Sequence, residues 1–408
     1  MAAVVVLVLV LGSGDDDGGA PPAPPRTVAT APPPATTAPA PAPSQEPPPG
    51  LRIGIAEQNP WLIAPGDVPA AFAPWRDRLA ALKPAFFRLM VDWSRVQPSA
   101  DAPPNWDAAG DGCLRGAQPC AATRGIRQLV RAIAARRAVD GFDSWQVVVS
   151  PYGAPDWALE PQQGCPGGGG RIREDAYRGL IRSLQRMLDE EAVTFTWWSP
   201  WNEPNHPTFL APQRAACGRD QAAISPGAYA DLVRAAQAEL PSGAPLVLGE
   251  VAGYARPRRE AVGAAEFAAA LPPDVACASA VWAQHTYVGR GSTSLAADRE
   301  RGGNPSLLRD VERALDSHGC EQQHRIWITE TGAATDNGPG SCAAMDAALR
   351  AWDADDRVDV AIQYTFREDS AFPVGLADAT LTEPRPAYRA WLAWGARNPS
   401  AGAPAAPC

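Results

Sequence analysis

From residue 51 onward, short apolar runs alternate with longer stretches in which apolar positions recur every three or four residues. The short runs are apolar almost without interruption, which is typical of strands buried on both faces, and the longer stretches predict amphipathic helices. Eight strands are predicted at 51–56, 86–91, 145–150, 193–200, 246–249, 278–284, 325–329 and 358–364. Eight helices alternate with them at 69–82, 123–139, 174–188, 226–240, 259–271, 305–318, 342–352 and 386–396.

Eight strand–helix units in one chain predict an α/β fold, a closed (β/α)8 TIM barrel, as a single domain over 51–398 with a C-terminal tail at 399–408. The competing architecture is an open, doubly wound sheet. That fold usually begins with a glycine-rich turn, whereas the first predicted turn here is Glu57-Gln58-Asn59-Pro60. The glycine run at 167–170 lacks a following Lys-Ser or Lys-Thr and is interpreted as a loop, not as a phosphate site.

Composition excludes several classes of function. The net charge of −9 comes without a basic cluster, which argues against nucleic acid and anionic membranes as partners. Lys83 is the only lysine, and it precedes the second predicted strand, so an aldolase or another Schiff-base enzyme is disfavoured. The four histidines form neither His-x-His nor His-Glu-x-x-His, so no metal and no cofactor are expected. We expect a monomer.

Eight cysteines, none in a Cys-x-x-Cys motif, predict four disulfides in an oxidising compartment. The alternative is a set of buried thiols in a cytosolic protein. Barrel geometry brings together cysteines that share a loop or lie in neighbouring loops on one face, and the remaining two would pin the C-terminal tail. The predicted pairs are Cys113–Cys120, Cys165–Cys217, Cys277–Cys320 and Cys342–Cys408.

Two glutamates stand at the carboxyl ends of predicted strands. Glu203 lies in Trp201-Asn202-Glu203-Pro204 after the fourth strand, and Glu330 follows the seventh. Pro204 disfavours a helical Glu203 and predicts an extended one. Strand carboxyl ends meet at one mouth of a barrel, and two carboxyl groups there suffice to cleave a glycosidic bond. The alternative is that each is a solvated loop residue or a helix cap.

These motifs resemble the clan A glycoside hydrolases, most closely family 39-type members, over about 51–398. Trp-Asn-Glu-Pro and the Thr-Glu-Thr-Gly around Glu330 carry the resemblance, which extends to the residues Arg88, His285, Tyr287 and the segments 375–378 and 384–388. It implies a retaining reaction with Glu203 as general acid/base and Glu330 as nucleophile. Many members carry a tryptophan after strand eight, where this chain has Tyr364 and Phe366.

Further residues are expected around the two glutamates. Asn202 is expected to bind the sugar 2-hydroxyl. Arg88 and Tyr287 should favour the ionised form of Glu330, while the charge of Glu330 and nearby indoles should raise the pKa of Glu203. His285 either belongs to the site or only fixes Tyr287, and the chain also has His206, which is expected to pack under the strand-four loop.

Aromatic and acidic residues near other strand ends have two possible roles, contact with a sugar or a purely structural role in the loops. Trp93 and Trp157 are candidate stacking platforms for sugars, although packing beneath a loop is an equal alternative. Five carboxylates also follow strands, and a solvated loop charge is favoured for each over a contact with sugar: Glu57, Asp92, Glu250, Glu368 and Asp369.

The sequence therefore predicts a secreted, extracellular or cell-surface-associated retaining glycoside hydrolase, with the barrel as its catalytic domain and an oligo- or polysaccharide as substrate. The alternative is a catalytically silent carbohydrate-binding barrel displayed at the cell surface. The identity of the sugar, and whether cleavage is internal or terminal, depends on the loops.

Residues 1–18 contain a short apolar run at 2–11, which is shorter than the roughly 20 residues that span a bilayer. It resembles a signal-peptide core without a basic n-region, so a cleaved signal and an anchor both stay open. Residues 19–50 are rich in Pro, Ala and Thr and predict a disordered linker that holds the barrel away from a surface.

Removing the N-terminal fifty residues should leave stability and activity unchanged. The segment lacks the apolar content needed to pack against the barrel. We expect a chain that begins near Gly50 to keep its melting temperature and its turnover, measured by calorimetry and by glycoside hydrolysis. A large loss of either would show that the segment docks on the barrel.

Overall fold

The computed structural model describes residues 50–408 except 142, 162, 289–304, 336–337, 370 and 399–400, and the side chains of 305–307 are likewise not described. The predictions for the apolar segment and for the linker therefore lie outside the described residues, save for Gly50. The compact unit that contains the rest of the chain runs over Pro47–Cys408.

Eight parallel strands form one sheet in the described part of the chain. They are β1 Arg52–Ala56, β2 Phe86–Asp92, β3 Gln146–Tyr152, β4 Thr196–Trp198, β5 Leu248–Val251, β6 Val281–His285, β7 Arg325–Thr331 and β8 Val358–Tyr364. Their order is β4-β3-β2-β1-β8-β7-β6-β5. A parallel bridge between Trp198 and Leu246 joins the two ends of the sheet. The sheet thus closes, and the predicted (β/α)8 barrel is confirmed.

The helices between the strands lie close to their predicted positions. They are α1 Ala73–Ala81, α2 Gly125–Asp140, α3 Glu174–Glu190, α4 Ser225–Glu239, α5 Ala264–Ala269, α6 Pro305–Asp316, α7 Gly340–Asp353 and α8 Ala387–Ala396. Shorter elements are the helical turns Pro60–Leu62, Trp93–Val96, Asp156–Ala158 and Pro273–Ala276 and the two-residue strands Ala109–Gly110, Thr123–Arg124, Leu159–Glu160 and Arg171–Ile172. None of the described helices has the length and apolar content to cross a bilayer.

Helix α5 is much shorter than the predicted 259–271. Gly263 is extended, with φ −63° and ψ 149°, and caps the helix. Its amide donates to the Glu266 side chain at 3.2 Å, which fixes the start of the helix at Ala264. The predicted helical residues 259–263 therefore lie in a loop, and the helical prediction for them is wrong.

Aromatic rings fill the lower barrel interior. The ring of Trp327 meets those of Phe86 and Trp197 edge-on, with centroids 4.9 and 4.7 Å apart. Small and branched side chains from neighbouring strands complete this cluster, namely Val148, Val247, Ala283, Val360 and Ile362. Residues two positions further along each strand point to the same side, so they form the next layer toward the mouth. In β2 that residue is Arg88, and there the interior becomes polar.

Four disulfides join the pairs that barrel geometry predicts. The Cα–Cα distances are 4.7 Å for Cys113–Cys120, 4.6 Å for Cys165–Cys217, 5.3 Å for Cys277–Cys320 and 5.9 Å for Cys342–Cys408. The first two bind loops at the carboxyl ends of the strands, where the glutamates lie. The last ties the C-terminal residue to α7.

Candidate active site

Glu203 follows β4 in a conformation that the sequence does not predict. Its φ is +42°, so the expected extended backbone is wrong. Few non-glycine residues adopt a positive φ, and surrounding contacts must compensate for the strain. Here the amide of Glu203 donates to the carbonyl of Glu250 at 2.9 Å, and that of Asn202 donates to Pro151 at 3.1 Å. These bonds to β5 and β3 override the local preference of a residue before proline.

Glu330 lies within β7 and is held by two donors. Arg88 Nη1 lies 2.8 Å from Glu330 Oε2, and the Tyr287 hydroxyl donates to Oε1. Burial, followed by the charge of Glu330, holds the pKa of Tyr287 well above its ordinary value, so the phenol keeps its proton. The two donors bind different oxygens and so fix the orientation of the Glu330 carboxyl group.

Arg88 connects the polar residues of the barrel interior. It is 1% exposed, and its Nε and Nη2 atoms donate to Glu250 Oε1 at 2.8 Å and to Asn202 Oδ1 at 2.7 Å. Burial would lower the pKa of Arg88, but Glu250 and Glu330 outweigh it and raise the pKa. Burial opposes the ionisation of Glu250 too, yet Arg88 brings that pKa below its ordinary value. Two hydroxyls also donate to Glu250, those of Ser150 and Ser199.

His285 lies between the two glutamates. Its Nδ1 is 2.9 Å from Glu203 Oε1 and 3.5 Å from Glu330 Oε2. One carboxylate oxygen of each glutamate and a ring nitrogen of His285 all lie within 4.8 Å of one another. Burial lowers the pKa of His285 to about 4, so the ring is neutral near pH 7. The three groups have the spacing of metal ligands, but Arg88 and Tyr287 already occupy the oxygens of Glu330 and make a cation a poor fit there.

Glu203 is set up to hold a proton. Burial is the largest influence and raises the pKa of its carboxyl, which the charges of His206 and Arg88 oppose and that of Glu250 reinforces. From the sequence we expected the charge of Glu330 and nearby indoles to raise the pKa of Glu203. In the structure, burial and the charge of Glu250 raise that pKa. The side chain keeps 16% of its exposure, so a substrate can reach it.

The tryptophans do not line the site. Trp93 is 0% exposed and its Nε1 donates to the side chain of Gln97 at 2.9 Å, so its expected role as a stacking platform is wrong. Trp157 meets Trp93 edge-on at 5.6 Å and donates to the backbone of Gln97 at 3.1 Å. It borders a separate surface groove with Pro98 and Asp101. Both rings support the loops that surround the mouth.

Four of the five carboxylates favoured as solvated loop charges are buried instead, among them Asp369, which pairs with Arg115 at 3.3 Å. Glu250 is 0% exposed by side chain and paired with Arg88, and Glu368 pairs with Arg385 at 2.6 Å. Glu57 accepts backbone amide donors from its own turn and from the loop after β8. A sequence signal existed for Glu250, because it stands in the apolar run 246–252, where a charge requires a counter-ion.

The two serines that donate to Glu250 share a sequence feature that could have marked them as site residues. Ser150 and Ser199 each precede a proline at the end of a strand, in β3 and directly after β4. His206, in contrast, packs as expected, since its ring stacks on Tyr254 at 5.6 Å and 25°. Its amide donates to the carbonyl of Glu203 at 2.9 Å, so this packing supports the loop that carries Glu203.

A cavity of about 540 Å³ opens at the mouth; Glu203 and Glu330 are not among its lining residues, but Phe209 from the loop that carries Glu203 is. Met90, two residues beyond Arg88 in β2, contributes to its lining together with Tyr152 and Tyr364. The Tyr364 ring meets Phe372 edge-on at 5.8 Å, and Phe372 in turn meets Tyr287, the donor to Glu330, at 4.9 Å. Phe366 is 0% exposed and faces the core. Tyr364 is therefore the aromatic residue that borders the site after β8.

No protein-family model and no curated protein matches this sequence. Among solved structures, the chain is similar to a family 5 enzyme (GH5_18) from Streptomyces cattleya in complex with GlcNAc, with 17% identity, a TM-score of 0.52 and coverage of 86% of this chain and 82% of that one. The Pseudomonas stutzeri endoglucanase Cel5A in complex with cellobiose is similar at 16% identity and a TM-score of 0.52, with 86% and 94% covered.

A family 39 glycoside hydrolase from Bacteroides cellulosilyticus WH2 is similar at 15% identity and a TM-score of 0.49. The match covers 85% of this chain but spans only 63% of that chain. This likeness does not distinguish family 39 from the other families. The two structures matched at a TM-score of 0.52 are clan A glycoside hydrolases with a (β/α)8 barrel. The protein described here adopts the same barrel fold.

Proposed function

We propose that the protein is a secreted, retaining glycoside hydrolase that cleaves O-glycosidic bonds of oligo- or polysaccharides. The observation that carries the proposal is the pairing of a half-buried Glu203, whose pKa is raised, with a Glu330 held by Arg88 and Tyr287. Oxygens of the two carboxyls lie within 4.8 Å. Retaining enzymes hold their carboxyl groups about 5–5.5 Å apart and inverting ones roughly 6.5–9.5 Å apart, so the spacing supports retention.

In the first step, Glu330 attacks the anomeric carbon while Glu203 donates its proton to the leaving oxygen. The C–O bond to the leaving group breaks and a glycosyl ester forms on Glu330. Arg88 and Tyr287 hold the attacking carboxylate in place before the bond forms. Because the ester carries no charge, the repulsion between the two carboxyl groups falls once it has formed.

In the second step, Glu203 is ionised and takes a proton from water, which attacks the anomeric carbon and releases Glu330. Two inversions at one carbon restore the starting configuration. His285, neutral near pH 7, keeps a ring nitrogen 2.9 Å from the Glu203 carboxyl and fixes its position through both steps.

Asn202 is placed to bind the sugar. Its Oδ1 accepts from Arg88 at 2.7 Å, which fixes the orientation of the amide. Within the described residues its Nδ2 donates no hydrogen bond to protein, so this group remains for the 2-hydroxyl of the substrate. Hydrogen bonds to that hydroxyl strengthen in the transition state.

A silent sugar-binding barrel would need neither a proton donor nor an oriented carboxylate, so the arrangement favours the enzyme. Four disulfides support an extracellular location, since such bonds persist in oxidising compartments.

The test is a screen of the purified protein against plant and bacterial wall polysaccharides and aryl glycosides. Proton NMR of the first product should show the anomeric configuration of the substrate. Absence of hydrolysis across the panel would favour the silent barrel, and an inverted first product would reject the double displacement.

The pH profile should report the raised pKa of Glu203. Below that pKa the carboxyl holds the proton it must donate, and above it the proton is lost, so kcat/KM should fall on the alkaline side at a pH above the ordinary pKa of glutamic acid. His285, with a pKa of about 4, is already neutral there. In Glu203→Ala, assayed on an aryl glycoside with a good leaving group, the alkaline fall should disappear. An unchanged alkaline limb in this variant would assign it to another group.

A further inference from the structure

The loop 112–121 after β2 forms a wall at one end of the cavity, and we name it the end-wall loop. The disulfide Cys113–Cys120 closes it internally. Its residues Cys113, Leu114 and Arg115 line the cavity. Gly112 has a φ of +66°, and a Cβ there would lie 2.2 Å from the Ala121 carbonyl oxygen, so the two strands of the loop are packed as closely as glycine allows.

Neighbouring loops hold the end-wall loop in place. Arg367, in the loop after β8, donates from Nη1 to the carbonyl of Pro119 at 3.1 Å and from Nη2 to that of Ala117 at 3.0 Å. Asn59, after β1, donates to the carbonyl of Gly112 at 3.1 Å. Arg367 is 2% exposed, so its charge is committed to these carbonyls and not to solvent. The wall is therefore part of the scaffold.

A second contact closes the wall over the cavity. Arg115 Nε lies 3.3 Å from Asp369 Oδ1, which joins the tip of the end-wall loop to the loop after β8. The Arg115 side chain is 59% exposed, so this ion pair adds little stability. Its effect is geometric, because it spans the rim between two loops that both line the cavity.

The position of Glu203 fixes which part of a substrate meets this wall. Glu203 protonates the leaving oxygen, so the leaving group lies over β4 and β5. In the closed order β4-β3-β2-β1-β8-β7-β6-β5, strands β1 and β8 lie across the barrel from them. The cavity lies mostly toward this far side: most of its lining residues follow β1, β2 and β8, and Tyr152 of β3 and Phe209 of the loop after β4 complete the lining. It therefore receives the sugar on the non-reducing side of the cleaved bond.

We propose that the end-wall loop blocks extension of the glycan beyond the cavity, so that the protein binds the non-reducing end of a chain and releases short units from it. This inference rests on the proposed function, whose site fixes the direction of the substrate. A volume of about 540 Å³ falls in the range of small-ligand clefts and cavities, roughly 300–1,000 Å³, so the space suits a short segment of glycan. Cleavage within a chain would require a cleft open at both ends.

The decisive variant replaces residues 114–119 with Asn-Gly. Cys113 and Cys120 have Cα atoms 4.7 Å apart, a separation that a two-residue hairpin turn spans. The change removes Arg115 and both carbonyls bound by Arg367, and so lowers the wall. The matched control is Arg234→Ala, which removes an exposed arginine and its ion pair with Asp274 at 2.8 Å but touches no residue that lines the cavity.

Binding is read on glycan arrays with each protein in a Glu330→Gln background, so that the probes are not consumed. Tetrasaccharides of cellulose, xylan, mannan and chitin are attached in two orientations, through the reducing end or through the non-reducing end. We expect the unshortened loop and Arg234→Ala to prefer probes with a free non-reducing end by at least ~10-fold. With the shortened loop the preference should fall below about threefold.

Equal binding of both orientations by the unshortened loop would overturn the proposal, whether or not the shortened variant folds. A parallel hydrolysis assay of the same tetrasaccharides, with Glu330 intact, separates this outcome from failure of the proposed function. Orientation-selective binding without hydrolysis would reject the enzyme and keep the end wall. Binding and hydrolysis of no probe would reject both.

Discussion

Replacing Glu330 with alanine should abolish turnover of every glycoside, by about 10⁴-fold or more, as when other enzymes lose their nucleophile. No glycosyl ester can form without the carboxylate. Added azide can occupy the vacated space and attack the anomeric carbon directly from the same face, which would give a glycosyl azide of inverted configuration. The measurement is the rate on an activated aryl glycoside with and without azide, with product configuration determined by NMR.

The variant should remain folded, because Arg88 keeps its contacts with Glu250 and Asn202 when Glu330 is removed. A thermal melt checks this. Glu260→Ala is a matched control, since it removes a carboxylate from an exposed position in the loop after β5 and should leave turnover unchanged. Glu330→Ala with near-normal turnover, or an azide product of retained configuration, would contradict the role of Glu330 as nucleophile.

Replacing Glu203 with alanine should cause a different failure. Natural glycosides need protonation of the leaving oxygen, and their turnover should fall by about 10²–10⁴-fold, the usual contribution of a general acid. An aryl glycoside with a good leaving group needs little protonation, so its first step should survive. The second step then lacks a base, so the glycosyl-enzyme should accumulate and appear as a burst of phenol release.

Azide should relieve this block in Glu203→Ala. It needs no general base, and it attacks the accumulated ester to give a product of retained configuration. The intact protein's mass should increase by one glycosyl unit before azide is added. If Glu203→Ala and Glu330→Ala behaved alike, or if no adduct formed on Glu203→Ala, the assignment of separate roles would be wrong.

Sequence and structure agree where local pattern carries the information. A strand buried on both faces is apolar throughout, and its period differs from that of an amphipathic helix, so the number and order of barrel units follow from the sequence. Helix α5 is the exception, because the extended Gly263 ends an apolar period that looked helical.

The positions of Glu203 and Glu330 at one mouth follow from the same reasoning, since the carboxyl ends of all the strands in a parallel barrel lie on one face. The cysteine pairs follow as well, because cysteines in one loop or in neighbouring loops on one face are brought close by the barrel itself. These conclusions need the order of the elements and nothing finer.

Tertiary structure alone decided which charges are partners. Arg88 and Glu250 lie 162 positions apart, and Arg88 and Glu330 lie 242 apart, so no local period marks them. No local period marks the burial of Trp93 either. Nor does one mark the hydrogen bond from Arg367 to the carbonyl of Ala117, 250 positions away. Such contacts depend on how far each side chain projects into the mouth, which spacing along the chain does not encode.

By itself, then, the sequence determined the barrel and the two glutamates that face each other across it, because burial and strand direction are written in local patterns. Only the tertiary structure decided the positive φ of Glu203, the place of His285 between the carboxyls, and the hydrogen bonds by which Arg367 holds the loop 112–121. Each of these results from hydrogen bonds and packing between loops that follow different strands, and such contacts exist only once the barrel has closed.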